Sequence, residues 1–86
     1  MFTHKEHIKM SKTLLITNIC RHHRQEILKI SLKEMGVKTN TLYKTLSAFE
    51  NGRSTNINHL IKYFEISDLK QRQNLALKIA SVLIGG

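Results

Sequence analysis

The 86-residue chain has no proline, no tryptophan and a single cysteine. Without proline, and with only Gly36 and Gly52 inside its body, little in it would interrupt a helix, so long helices are the default expectation. A lone Cys20 excludes an intrachain disulfide framework and fits a reducing, cytoplasmic setting. Acidic residues are also scarce, six against 14 Lys and Arg, and they are scattered. They form no carboxylate pair, and there is no Gly-rich phosphate loop. Neither an enzyme nor a cofactor is therefore expected. Long apolar runs are missing too: Leu14, Leu15, Ile16 and Ile19, broken by Thr17 and Asn18, are far too few to span a bilayer or to read as a signal peptide. No membrane partner is expected.

Hydrophobic residues make up 41% of the chain, enough for one globular domain. A chain of this length buries roughly 60–65% of its unfolded surface. The formal net charge is +8. Its distribution is uneven: residues 1–44 carry nine Lys and Arg against three acids, a net of +6, and residues 45–86 carry five against three, a net of +2. Such a field concentrates polyanions. Nucleic acid is the simplest partner; an anionic membrane surface is the rival, set aside because Thr17, Asn18 and the His22-His23 pair break the apolar face of the first helix.

Residues 1–10 are polar and basic and read as an arm; residues 11–86 form the domain. Ser11 is a candidate N-cap for a helix reaching about Ile30. Ser31 with Glu34 has the capping-box spacing and opens a second helix to about Lys38. Gly36 within it points to a close backbone approach or a helix end. Thr39-Asn40-Thr41 is a turn, with Thr41 able to cap a third helix over about 42–50, whose Leu42, Leu46 and Phe49 share one face. That helix stops at Asn51-Gly52, residues that tolerate a left-handed backbone. A fourth helix runs from about Asn56 to Glu65 on Ile57, Leu60, Ile61 and Phe64. A fifth, over about 68–84, is apolar on more than one face, and its Leu75, Ile79, Val82 and Leu83 are the candidate dimer surface.

The run Leu46-Ser47-Ala48-Phe49-Glu50-Asn51-Gly52-Arg53, with Ser31, Met35, Gly36 and Asn40 upstream in register, resembles the Cro/cI-type (Xre-like) helix-turn-helix family over about residues 20–66. The resemblance implies an all-α, lambda-repressor-like bundle of about five helices. It also implies a regulator of phage, plasmid or mobile-element type, a repressor, that binds operator DNA as a dimer. Leu42, Tyr43, Lys44, Ser47 and Ala48 would then face the bases, while Ser31, Lys33, Lys38, Thr41, Asn51, Gly52, Arg53 and Arg21 would contact phosphates. In relatives the Glu pairs with a basic residue of the first helix. Here that implies Arg24 with Glu50, with Arg21 as second candidate, and the match needs one extra residue between 24 and 31. Leu32, Leu42 and Ala48 depart from the family and leave the reading face poorer in hydrogen-bonding groups.

Two alternatives stay open. Gly36-Val37-Lys38-Thr39-Asn40-Thr41-Leu42-Tyr43 also resembles the turn of antitoxin-like members, which would make Gly36 the turn and bring Lys38, Thr39 and Asn40 toward the bases. The apolar reading face also suits a protein-binding module on the same scaffold, such as an antirepressor or an inhibitor of a host defence protein. Cys20, His22 and His23 match no zinc spacing. They read as a half-buried cysteine beside surface histidines, and His59 reads as a surface residue. No metal is expected.

Overall fold

A computed structural model describes residues 11–85. The expected basic arm, residues 1–10, lies outside them. The protein is a bundle of five helices, with no strand among the described residues. Ser11 caps α1 (Lys12–His22), its Oγ accepting the amide of Leu14 at 3.1 Å. The chain then widens into a π turn, His23–Leu28. A π turn holds more residues per turn than an α-helix. The expected straight helix to Ile30 is corrected accordingly. Lys29, in the left-handed region at φ 55°, ends the π turn.

Ser31 opens α2 (Leu32–Thr39), its Oγ accepting the Glu34 amide at 3.0 Å. Asn40 closes α2 in the left-handed conformation, φ 53°, and Thr41 N–H donates to the Gly36 carbonyl at 2.8 Å. With Asn40 N–H donating to Val37, this is a Schellman closure with Asn in the place glycine usually takes. The turn therefore lies at Asn40. Gly36 is helical, so the register that makes it the turn is excluded, and Lys38, Thr39 and Asn40 end α2. A Cβ on Gly36 would sit 2.6 Å from the Thr41 carbonyl oxygen; glycine allows the next segment to cross there.

Next comes α3 (Tyr43–Glu50). Its N-cap is Leu42, without a side-chain cap, rather than the expected Thr41. Thr41 Oγ1 donates back to the Thr39 carbonyl instead, at 3.0 Å. Two helices follow, α4 (Ile57–Glu65), capped by Asn56, and α5 (Leu69–Gly85). Asp68 and Gln71 cap α5 reciprocally, each side-chain oxygen accepting the other's amide.

Cys20, Met35, Leu46, Phe49, Tyr63, Leu75 and Ile79 form the core, drawn from every helix. Leu75 and Ile79 turn inward here, which corrects their place on the dimer surface: the side of α5 facing α1 needs them as filling. Val82 is half-buried, and Leu83, like Leu77 and Ile84, is exposed. The buried face of α4 is also turned from the expected stripe. Tyr63 is fully buried and Ile57 is 65% exposed, because the Tyr63 hydroxyl has a buried partner on α3.

Candidate nucleic-acid interface

Helices α2 and α3 pack together across the Asn40–Leu42 connection, with Met35 and Leu46 both fully buried. The pair is two short helices joined by a tight turn. Behind it, three elements converge on one carboxylate. Arg24 donates to Glu50 from Nε at 2.8 Å and from Nη2 at 2.9 Å, and the Tyr63 hydroxyl adds a third bond at 2.7 Å. The third guanidinium nitrogen, Nη1, donates to the Ile30 carbonyl at 3.0 Å. A forked Arg–carboxylate pair with its remaining positions satisfied is the geometry in which burial of two charges is tolerated. It joins the π turn, the end of α3 and the middle of α4.

The charges around this site follow from burial. Hydrogen bonding to Glu50 holds the Arg24 guanidinium above its usual value. Burial, and then the nearby Glu50 charge, push the Tyr63 phenol up. The same two causes push the Cys20 thiol up to about 12, so it stays a neutral, inert core group rather than the half-buried residue expected. His23 is likewise buried, not a surface residue. Ser67 donates to the Tyr63 carbonyl at 2.6 Å, so at 2.8 Å it accepts from His23 Nε2. That leaves His23 Nδ1 unprotonated and without a partner. Burial, then Lys78, lower the His23 pKa. His59 is half-buried with its ring edge-on to Phe49 at 5.9 Å between centroids, not at the surface. No cluster of three potential metal ligands occurs among the described residues.

The front of the unit is open. Leu42, Tyr43 and Lys44 are exposed at the start of α3, while Ser47 and Ala48, one turn on, are half-buried. Lys33 reaches across from α2 with its Nζ 5.6 Å from the centre of the Tyr43 ring, a cation–π approach. Lys33, Gly36, Val37, Thr41, Leu42 and Tyr43 line an open depression of about 780 Å³. Ser31 and Lys38 are exposed, and Thr41 is half-buried. Arg21, on α1, is half-buried and donates to Asn18.

The loop after α3 differs from expectation. The amides of Asn51, Gly52 and Arg53 all donate back into α3, to Ser47, Phe49 and Ala48. The Asn51 side-chain amide bonds the Ser47 carbonyl as well, at 2.9 Å. Asn51 and Gly52 therefore have no amide free for a phosphate, and the exposed Arg53 side chain is what the loop offers. Gly52 is glycine for its φ of 76°, a conformation that side chains rarely adopt.

The family resemblance implied Arg24 with Glu50, but nothing in it pointed to Tyr63 or Ser67, to the burial of His23 or to the place of Val37. A usable signal lay in the sequence of α1 and the π turn, where Thr17, Cys20 and Arg24 fall at i, i+3 and i+7, a helical spacing that marks one face. All three are buried.

Fold and site together define a small all-α protein in which a pair of short helices is braced from behind and carries exposed lysines in front. No family model, no curated protein and no solved structure matches the chain.

Proposed function

We propose that the protein is a sequence-specific DNA-binding regulator of Cro/cI type, a repressor that lays α3 in the major groove of operator DNA. One observation carries the reading: α3 is held from behind by the buried Arg24–Glu50–Tyr63 cluster while Tyr43 and Lys44 stand exposed at its open end. A recognition helix requires both a fixed rear and a free N-terminal half. Lys44 would then meet guanine O6 and N7. Lys33, Lys38 and Arg53 supply exposed cations for phosphates, and Ser31 a hydroxyl at the start of α2, where opening amides favour an anion. The dimer remains part of the proposal, with half-sites about one helical turn, near 34 Å, apart. With Leu75 and Ile79 in the core, its α5 contact falls to exposed Leu77, Leu83 and Ile84.

Titration against duplex DNA over a salt series tests the reading. Affinity should fall with a log–log slope of about −0.9 per phosphate neutralised. Arg53→Ala should weaken all sequences alike, and Lys44→Ala should relax base preference. A flat salt response, or no binding at low salt, overturns it. The exposed Val37 and Leu42 favour a second reading, a protein-binding module. A stoichiometric protein partner that survives nuclease treatment and displaces DNA from α3 would replace the first reading with the second. No helix among the described residues is long and apolar enough to cross a membrane.

A further inference from the structure

Leu42 occupies a position that helices reserve for Ser, Thr, Asp or Asn. It is the N-cap of α3, it makes no capping bond, and 76% of it is exposed. Folding gains little from a leucine there: the side chain is not packed, and the cap is lost. Beside it, across the same depression, Val37 is 83% exposed, and the Tyr43 ring is 41% exposed. Scattered exposed apolar side chains are ordinary. Three around one hollow, at the end of α3 that the proposed function sets against the bases, form a patch with a definite occupant. Lys33 lines the hollow and lies over the Tyr43 ring, and Lys38 and Lys44 are exposed on the same two helices. A polyanion carrying small apolar groups matches this surface in charge and polarity, whereas an apolar protein surface matches only its centre.

Duplex DNA presents one such group in the major groove, the thymine C5-methyl, and apolar side chains are its natural contacts. Resting on the DNA-binding reading, we infer that Leu42 and Val37 form a thymine-methyl pocket. The protein then selects thymine by burial of its methyl group at the position facing Leu42, where hydrogen-bond readout is absent. The base-facing departures at Leu42 and Ala48 are accordingly a change in the kind of readout, from donors and acceptors to shape and burial. Gly36 is in the wall of the same depression, where the Thr41 carbonyl approaches to a distance no side chain would tolerate.

The test removes only the methyl. Sequences are selected from a random duplex pool, and each thymine of the recovered site is replaced in turn by deoxyuridine. One position should lose about four-fold in affinity, the effect of burying one methyl-sized group, and Leu42→Ala should abolish that difference. Leu42→Ser should abolish it too while raising the melting temperature by about 4–8 °C, the shift that one restored N-cap gives a domain of this size. Equal affinity for thymine and uridine at every position, a site without thymine, or discrimination that survives Leu42→Ala overturns the inference. In those three cases salt-dependent DNA binding still stands. Absence of binding to any duplex at low salt overturns both.

Discussion

At its C-terminal end α3 is tied down by several groups at once. Glu50 takes three hydrogen bonds from the π turn and α4, and three successive loop amides turn back into the helix. At its N-terminal end Leu42 supplies no cap, and Tyr43 and Lys44 lie in solvent. Eight residues thus include one end chosen by the fold and one end that the fold leaves alone. The direction of a short helix can be set from a single end, provided that end is rigid. The other end is then free to carry side chains selected for a partner, at little risk to stability.

The sharpest way to break this comparison is to exchange the ends' roles. Arg24→Ala leaves Glu50 buried without its counter-charge and should cost about 3–5 kcal/mol. That is a large part of the roughly 4–13 kcal/mol expected for 86 residues. Lys44→Ala, at the exposed end, should change stability by less than about 0.5 kcal/mol. Urea denaturation of both variants reads the difference. Similar losses would mean that the front of α3 is structural after all, and the division between its two ends would fail.

Much of the rear was visible in sequence because its signals are local. Ser11 and Ser31 cap within three residues of their own position, and Glu-Asn-Gly ends a helix by backbone geometry alone. The Arg24–Glu50 pair was reachable only through register. What stayed hidden depends on three-dimensional company. Nothing in His-Arg-Gln-Glu-Ile-Leu distinguishes a π turn from an α turn. Helix α5 is apolar on several sides, so periodicity could not decide that Leu75 and Ile79 face inward and Leu77 outward. In α4 a stripe of isoleucines outweighs one tyrosine by hydropathy, yet Tyr63 is the buried residue because its hydroxyl completes the Glu50 carboxylate. The reading face was legible only as residue positions, since Val37 joins it from the other helix across the turn.

A smaller effect sharpens the contrast by pH. His23 belongs to the rear: neutral, buried, donating to Ser67, with Nδ1 unpartnered and Lys78 opposing its protonation. Its pKa in the folded protein lies below the ordinary 6.5. Above about pH 6.5 neither state holds the proton, and the full contribution is present. As pH falls below that value the unfolded chain takes up a proton that the folded chain refuses, so stability declines. The slope is at most about 1.4 kcal/mol per pH unit, ending where the folded histidine itself titrates. Melting temperatures between pH 7.5 and 5 should show this decline, and His23→Gln, which keeps a donor for Ser67 without titrating, should flatten it. An unchanged slope in the variant would place the pH sensitivity elsewhere.

The least expected change lies in the joint that carries Arg24. Lys29 ends the π turn at φ 55° and ψ 44°, where a Cβ is disfavoured. Its side chain is exposed and makes no hydrogen bond among the described residues, so the backbone conformation is retained for what it connects. That connection is specific: the Arg24 carbonyl accepts the amides of both Lys29 and Ile30, and the Arg24 guanidinium returns to the Ile30 carbonyl. Glycine adopts the same conformation without the steric cost, though it gains freedom when unfolded. Lys29→Gly should therefore stabilise the protein by about 0.5–1 kcal/mol and raise the melting temperature by a few degrees. The Arg24–Glu50 bonds should stay intact and the salt dependence of DNA binding unchanged in slope. A loss of stability would show that the lysine does more at this joint than turn the chain, and a changed slope would add Lys29 to the phosphate contacts and extend the front of the molecule onto a segment that otherwise belongs to its rear.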